Sequence, residues 1–89
     1  MKSSLTYDFI KRFRKLPSRI QQQARKNYKL WKQNPYHPSL EFKQVHQTRP
    51  IYSVRVALGW RAVGLKDGDT ISWFWIGSHA AYDSIIAKL

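Results

Sequence analysis

Three apolar runs sit back to back in the second half of the chain, each closed by a turn signal. Ile51 to Leu58 ends at Gly59, Trp60 to Lys66 ends at Asp67-Gly68, and Thr70 to Ile76 ends at Gly77. Asp-Gly between alternating runs favours a hairpin, because both turn positions take positive φ at low cost. The pattern predicts an antiparallel meander. In the first run Tyr52, Val54 and Val56 alternate with Ser53, Arg55 and Ala57, the period of a strand with one face buried and one open. In the second, Trp60, Ala62 and Gly64 alternate with Arg61, Val63 and Leu65, and neither set is clearly polar. The third is apolar on both faces, which suits a central strand.

Ahead of the meander the period changes to a helical one. Met1 to Leu5 is a short candidate strand. Thr6 is placed to cap a helix, with Leu5 and Ile10 at the positions of a hydrophobic staple. Phe9, Phe13 and Leu16 follow on one face. Pro17 opens a second helix, where its missing N–H costs nothing. Ile20, Ala24, Tyr28 and Trp31 form the apolar stripe of that helix, and Asn34-Pro35 stops it. With almost no linker, the two helices form a hairpin whose stripes need a sheet to lie on. Leu40 to Val45 is a candidate strand, with Leu40, Phe42 and Gln44 on one side and Glu41, Lys43 and Val45 on the other. His46 to Pro50 is a polar loop. After Gly77, Tyr82, Ile85, Ile86 and Leu89 recur at helical spacing. The expected fold is α+β: an N-terminal helical hairpin packed on a mainly antiparallel sheet of about four strands, with a short C-terminal helix, as one domain over residues 1–89.

Composition narrows the function. The absence of cysteine excludes disulfides and thiolate zinc sites, so thirteen aromatic residues (4 Trp, 5 Tyr, 4 Phe) must supply the packing. The start, MKSSLTYDFIKRF, lacks the apolar core of a signal peptide, and no run reaches membrane-spanning length. A cytoplasmic protein is expected. Sixteen Lys and Arg against five Asp and Glu give a formal charge of +11. On so short a chain, that excess points to a polyanionic partner.

His37, His46 and His79 lie at unrelated spacings with no carboxylate cluster, so neither a metal site nor a cofactor is expected. There is no glycine-rich phosphate loop, no nucleophile elbow and no acid pair of a glycosidase. What remains is a basic, aromatic-rich sheet with a histidine and a tyrosine near its rim. RNA cleavage needs no more than this. The ribose 2′-OH attacks its own phosphate, a base takes its proton, an acid protonates the departing 5′ oxygen, and cations stabilise the charge on phosphorus. Arg55 and Arg61 suit the last task, since arginine presents forked donors and is always charged. His79 suits proton transfer near neutral pH. Taken singly, each has a plainer use: the arginines as solvated strand residues, His79 as a cap, Tyr82 as core.

Tyr-Ser-Val-Arg-Val at 52–56, Gly-Trp-Arg at 59–61 and Ile-Gly-Ser-His at 76–79, in that order after two helices, resemble the RelE/ParE superfamily of bacterial toxins. The resemblance spans nearly the whole chain. It implies a toxin neutralised by an acidic antitoxin. In the RelE-like branch, it implies metal-independent cleavage of messenger RNA in the ribosomal A site. Operator DNA would be contacted only through the antitoxin complex. By position, Arg61 matches the arginine that contacts the scissile phosphate, Arg55 a basic position on the preceding strand, and His79 the catalytic histidine of YoeB-like and YafQ-like members. Tyr82 stands in for the C-terminal tyrosine, although YoeB-like proteins have a tyrosine directly after the histidine and this chain has Ala80. The glutamate base of that group falls near Leu40 or Glu41. Lys43, His46 and Arg49 are candidate RNA contacts. The alternatives are a ParE-like inhibitor of DNA gyrase, and a degenerate module that only binds antitoxin or RNA. The helix from Tyr82 to Leu89 is a segment that an antitoxin would displace.

Overall fold

The computed structural model describes residues 1–89 and has the element order β1 (Lys2–Leu5), α1 (Tyr7–Arg14), α2 (Ser18–Gln33), a 3₁₀ turn (Pro38–Leu40), β2 (Lys43–Gln44), β3 (Ile51–Ala57), β4 (Trp60–Asp67), β5 (Thr70–Ser78) and α3 (His79–Lys88). The sheet has five strands in the order β1-β5-β4-β3-β2. Strand β1 is parallel to β5, and every other pair is antiparallel. Thr6 caps α1 as its position predicts, with its Oγ1 accepting from the Phe9 N–H at 3.2 Å. Helix α2 begins just after Pro17 and ends at Asn34, whose backbone N–H still donates to Leu30.

Aromatic packing holds the hairpin on one face of the sheet. Trp31 of α2 is 1% exposed and meets Phe42 and Trp73 edge-on, at 5.7 and 5.5 Å between ring centroids. Such offset contacts add to the area term because the ring edge and ring face carry opposite partial charge. Gly64 makes this possible. A Cβ there would lie 2.8 Å from the Trp73 ring and 3.1 Å from the Ser72 carbonyl oxygen.

The other face of the sheet is also covered, contrary to the one-sided pattern expected for β3. Ser53 and Ala57 are buried along with Val54 and Val56. Helix α3 folds back across this face, placing Tyr82 with Ile51, Val63 and Trp75 in a second small core. A bulge explains why β5 reads as apolar throughout. Val63 pairs with Trp75 while the next residue, Gly64, pairs with Trp73, leaving Phe74 extra. The extra residue reverses the parity, so Trp73 and Ile76 pack under the hairpin while Phe74 and Trp75 face α3.

Two expectations shift locally. The strand expected over Leu40–Val45 is only Lys43–Gln44, because Pro38–Leu40 winds into a 3₁₀ turn and Glu41 takes a left-handed conformation (φ 47°, ψ 42°) that ends it. The last hairpin turns at Gly68-Asp69 instead of Asp67-Gly68. Asp67 pairs with Thr70, and only Gly68 has positive φ, as in a type II′ turn. Strand β5 is interior, flanked by β1 and β4, while β4 is the middle strand.

Candidate active site

Arg55 of β3 and Arg61 of β4 are directly opposite each other in the antiparallel ladder. Like charges in that position repel, so the pair needs a counter-ion. Glu41 supplies it. Arg61 donates from Nη1 to Glu41 Oε1 at 2.8 Å, from Nη2 to the Glu41 backbone oxygen at 3.0 Å, and from Nε to Ser53 Oγ at 2.7 Å. Arg55 Nη1 lies 4.0 Å from the second carboxylate oxygen, Oε2. The left-handed turn at Glu41 lets one residue offer both its carbonyl and its carboxylate to the same guanidinium. Holding a non-glycine residue there costs about 1 kcal/mol. The hydrogen bond from Arg61 holds the Glu41 carboxyl below the usual carboxylate range. The charges of Arg61, Arg55 and Lys43 add to this, against a smaller opposing effect of desolvation.

Arg61 is 5% exposed, with the Tyr82 ring 5.4 Å from its guanidinium carbon. Three of its five N–H donors are engaged. It is a fixed positive floor, not a free clamp. Arg55, with 34% of its side chain exposed and one long contact to Glu41, is the less constrained cation of the pair.

His79 enters from α3. Ser78 caps that helix by accepting from the Ala81 N–H at 3.2 Å. The His79 backbone N–H donates to Gly59 O at 2.8 Å, which pins the start of α3 to the β3–β4 turn. The imidazole is left 57% exposed, its Nε2 3.7 Å from Asp83 Oδ1 one turn along the helix. Glu41, Arg55, Trp60, Arg61 and His79 thus line one cleft of about 230 Å³, floored by the turn at Gly59. Two arginines against one carboxylate leave it cationic, and the half-buried Trp60 offers an apolar wall.

Of the residues singled out by sequence, Arg55, Arg61 and His79 come together here. Tyr82 lies beneath them, 9% exposed, its ring 5.6 Å from that of His79 and 6.5 Å from that of Trp75. Lys43 pairs with Ser53 on the neighbouring strand and acts on Glu41 through its charge, but does not line the cleft. His46 and Arg49 sit at the other end of β3, beside Ile51. There His46 Nδ1 accepts from the N–H groups of Thr48 and Arg49, and its Nε2 meets Leu89 O at 3.1 Å. His46 closes a loop and ties down the end of α3. Ser53 and Trp60 were not singled out from sequence. Their signals are faint: Ser53 is a small polar residue diagonal to Arg61 across the ladder, and Trp60 is the aromatic just before it.

A second, larger depression of about 440 Å³ lies between the hairpin and the other face of the sheet. Its lining is mostly apolar, including Phe9, Phe13, Trp31 and Trp73, and its only charged side chains are Arg14, Arg25 and Arg55. It holds neither a histidine nor a carboxylate, whereas the smaller cleft holds His79 and Glu41 beside two arginines.

Solved structures share this fold. RelE of a RelB–RelE antitoxin–toxin complex from Methanococcus jannaschii superposes with a TM-score of 0.72 at 15% identity, over 91% of this chain and 95% of that one. YafQ from E. coli gives 0.69 at 13% identity, over 91% and 96%. The isolated E. coli RelE toxin gives 0.66 at 15% identity, over 99% and 98%. No curated protein is matched by sequence. Residues 18–84 match the family model of the ParE-like toxin domain, a span that runs from the start of α2 into α3 and takes in every residue of the cleft. This chain belongs to the ParE-like toxin family.

Proposed function

We propose that the protein is the toxin of a toxin–antitoxin module and cuts messenger RNA on the ribosome by attack of a ribose 2′-OH on the adjacent phosphate. The observation that carries this reading is the joint opening of His79 and Arg55 onto one cleft over an immobilised Arg61. A phosphate between them meets Arg55, which has donors to spare, while Arg61 supplies a fixed field from below. Charge developing on the phosphoryl oxygens is stabilised without reorganisation of the floor. His79 carries the proton transfer, because Glu41 is held ionised by Arg61 and is a weak base. The 2′-OH gives its proton to His79 as its oxygen attacks phosphorus, the P–O5′ bond breaks to leave a 2′,3′-cyclic phosphate, and the imidazolium so formed returns the proton to the departing 5′ oxygen. Tyr82 positions Arg61 and the His79 ring through packing. The three internal hydrogen bonds of Arg61 support its reading as a floor beneath the phosphate.

A cognate antitoxin fits the groove between the hairpin and the sheet. The charged side chains that line the apolar groove are all arginines, which suits an amphipathic acidic segment that folds on contact. The first test is the activity itself. Purified protein added to ribosomes programmed with mRNA is expected to cut the message there and to leave naked mRNA intact. Intact message together with inhibited gyrase supercoiling would overturn the nuclease reading in favour of the gyrase-poison branch.

A further inference from the structure

Nine of the sixteen basic residues lie between Lys11 and Lys32, and no acidic residue occurs between Phe9 and Leu40. All nine are exposed, and none takes part in an ion pair. The hairpin turns Phe9, Ile20, Ala24 and Trp31 to the sheet. At 100° per residue, Arg19, Lys26 and Lys29 fall in a sector on the opposite side of α2, spread over about 15 Å of helix. This face is separate from the cleft, which opens on the α3 side of the sheet.

The residue types narrow the partner. The sector between and beside these cations holds Gln22 and Gln33, and none of the large apolar side chains exposed on the protein lies on α2. A protein partner needs an apolar or aromatic centre to bury, and lysine is depleted from such centres. A membrane-surface helix needs an apolar face, and the one α2 has is spent on the sheet. Single-stranded nucleic acid is held by stacking on exposed aromatics, and the two strongly exposed rings, Tyr7 in α1 and Tyr36 beyond the end of α2, both lie off this helix. What a field of lysine, arginine and amide side chains does fit is the regular phosphate backbone of a duplex, gripped without reading its bases.

We infer that the outer face of α2, centred on Arg19, Lys26 and Lys29, is a second nucleic-acid surface that docks the backbone of duplex RNA while the cleft on the far side of the sheet holds the single strand. Only the identification of that duplex as ribosomal RNA rests on the proposed function. The surface itself rests on the charge and burial of the hairpin.

The test uses the whole protein, a labelled base-paired RNA hairpin as probe, and ribosomes as a second probe. Replacing Arg19, Lys26 and Lys29 by Gln is expected to weaken duplex binding at least tenfold at physiological salt. It should also flatten the log–log salt dependence by about 2 to 3, as three lost phosphate contacts require. A second triple variant, K2Q/K66Q/K88Q, removes the same charge elsewhere and should change affinity less than threefold. Equal losses in the two variants would reduce the effect to net charge and overturn the surface, as would no loss in either. If R19Q/K26Q/K29Q abolished binding of polyglutamate but not of duplex RNA, the partner would be an acidic protein instead. If it weakened binding to the RNA hairpin but not to ribosomes, the ribosomal identification would fail. A protein that cuts no mRNA and still shows the hairpin effect contradicts the nuclease reading and leaves this one standing.

Discussion

On the α3 side of the sheet, two arginines opposite each other share one carboxylate. On the hairpin side, nine cations share none. The first arrangement is rigid. Arg61 is buried, hydrogen-bonded on three sides and covered by Tyr82, and Glu41 adopts a costly backbone conformation to reach it. The second is diffuse, a row of solvated side chains on a helix whose order comes from the aromatic stripe on its other side. Buried, paired charge sets geometry, and exposed, unpaired charge sets long-range attraction and salt dependence. A catalytic cleft needs the former and a docking face the latter.

The difference can be broken from either side. The largest effect is expected on the hairpin's own anchor. Trp31→Ala should cost about 3–5 kcal/mol, because a large buried ring leaves a cavity between α2 and the sheet. A urea midpoint barely changed from wild type would mean that the hairpin is not held by that contact. Next come the two arginines. Arg61→Ala should cost about 2 kcal/mol, since it strips a buried donor from Ser53 and Glu41, while Arg55→Ala should stay within about 0.5 kcal/mol. Equal destabilisation would erase the distinction between the buried floor and the less constrained cation.

The smallest effect is a pH dependence. The carboxyl of Glu41 titrates below its usual value in the folded chain, so its contribution is fully present above the unfolded pKa near 4.5 and fades as the pH falls through the lower folded value. Glu41→Gln should therefore flatten the fall in melting temperature on the acid side of pH 4.5 and leave the slope above it unchanged. A variant with the wild-type acid slope would show that Glu41 is not the titrating counter-ion.

Much of this was legible in the chain, and the reasons differ by element. The helices announced themselves because Thr6, Pro17 and Asn34-Pro35 mark ends by local chemistry. The meander did so because alternation survives wherever one register holds. Strand β5 hid its geometry because one bulge at Phe74 switches which face each side chain takes, and a bulge leaves no mark in an all-apolar run. The 3₁₀ turn before Glu41 was missed because Leu40, Phe42 and Gln44 alternate like a strand, although Pro38 and a positive φ decide otherwise. Arg55, Arg61 and His79 were legible as types suited to phosphate chemistry. The share each takes was not, since it depends on Glu41 turning its carbonyl and one carboxylate oxygen toward Arg61 and leaving only the other, at 4.0 Å, for Arg55. His46 read as a candidate RNA contact in a polar loop, and its ring is engaged by backbone groups at the far end of β3.

The most direct measurement is the single-turnover rate of mRNA cleavage on programmed ribosomes for His79→Ala beside the wild-type chain, with thermal melting recorded for both. The side chain of His79 is exposed and touches only the Tyr82 ring and, at long range, Asp83, so its removal should leave the fold intact while slowing cleavage about 10²- to 10⁴-fold. Cleavage within threefold of wild type, at an unchanged melting temperature, would contradict the assignment of proton transfer to this cleft.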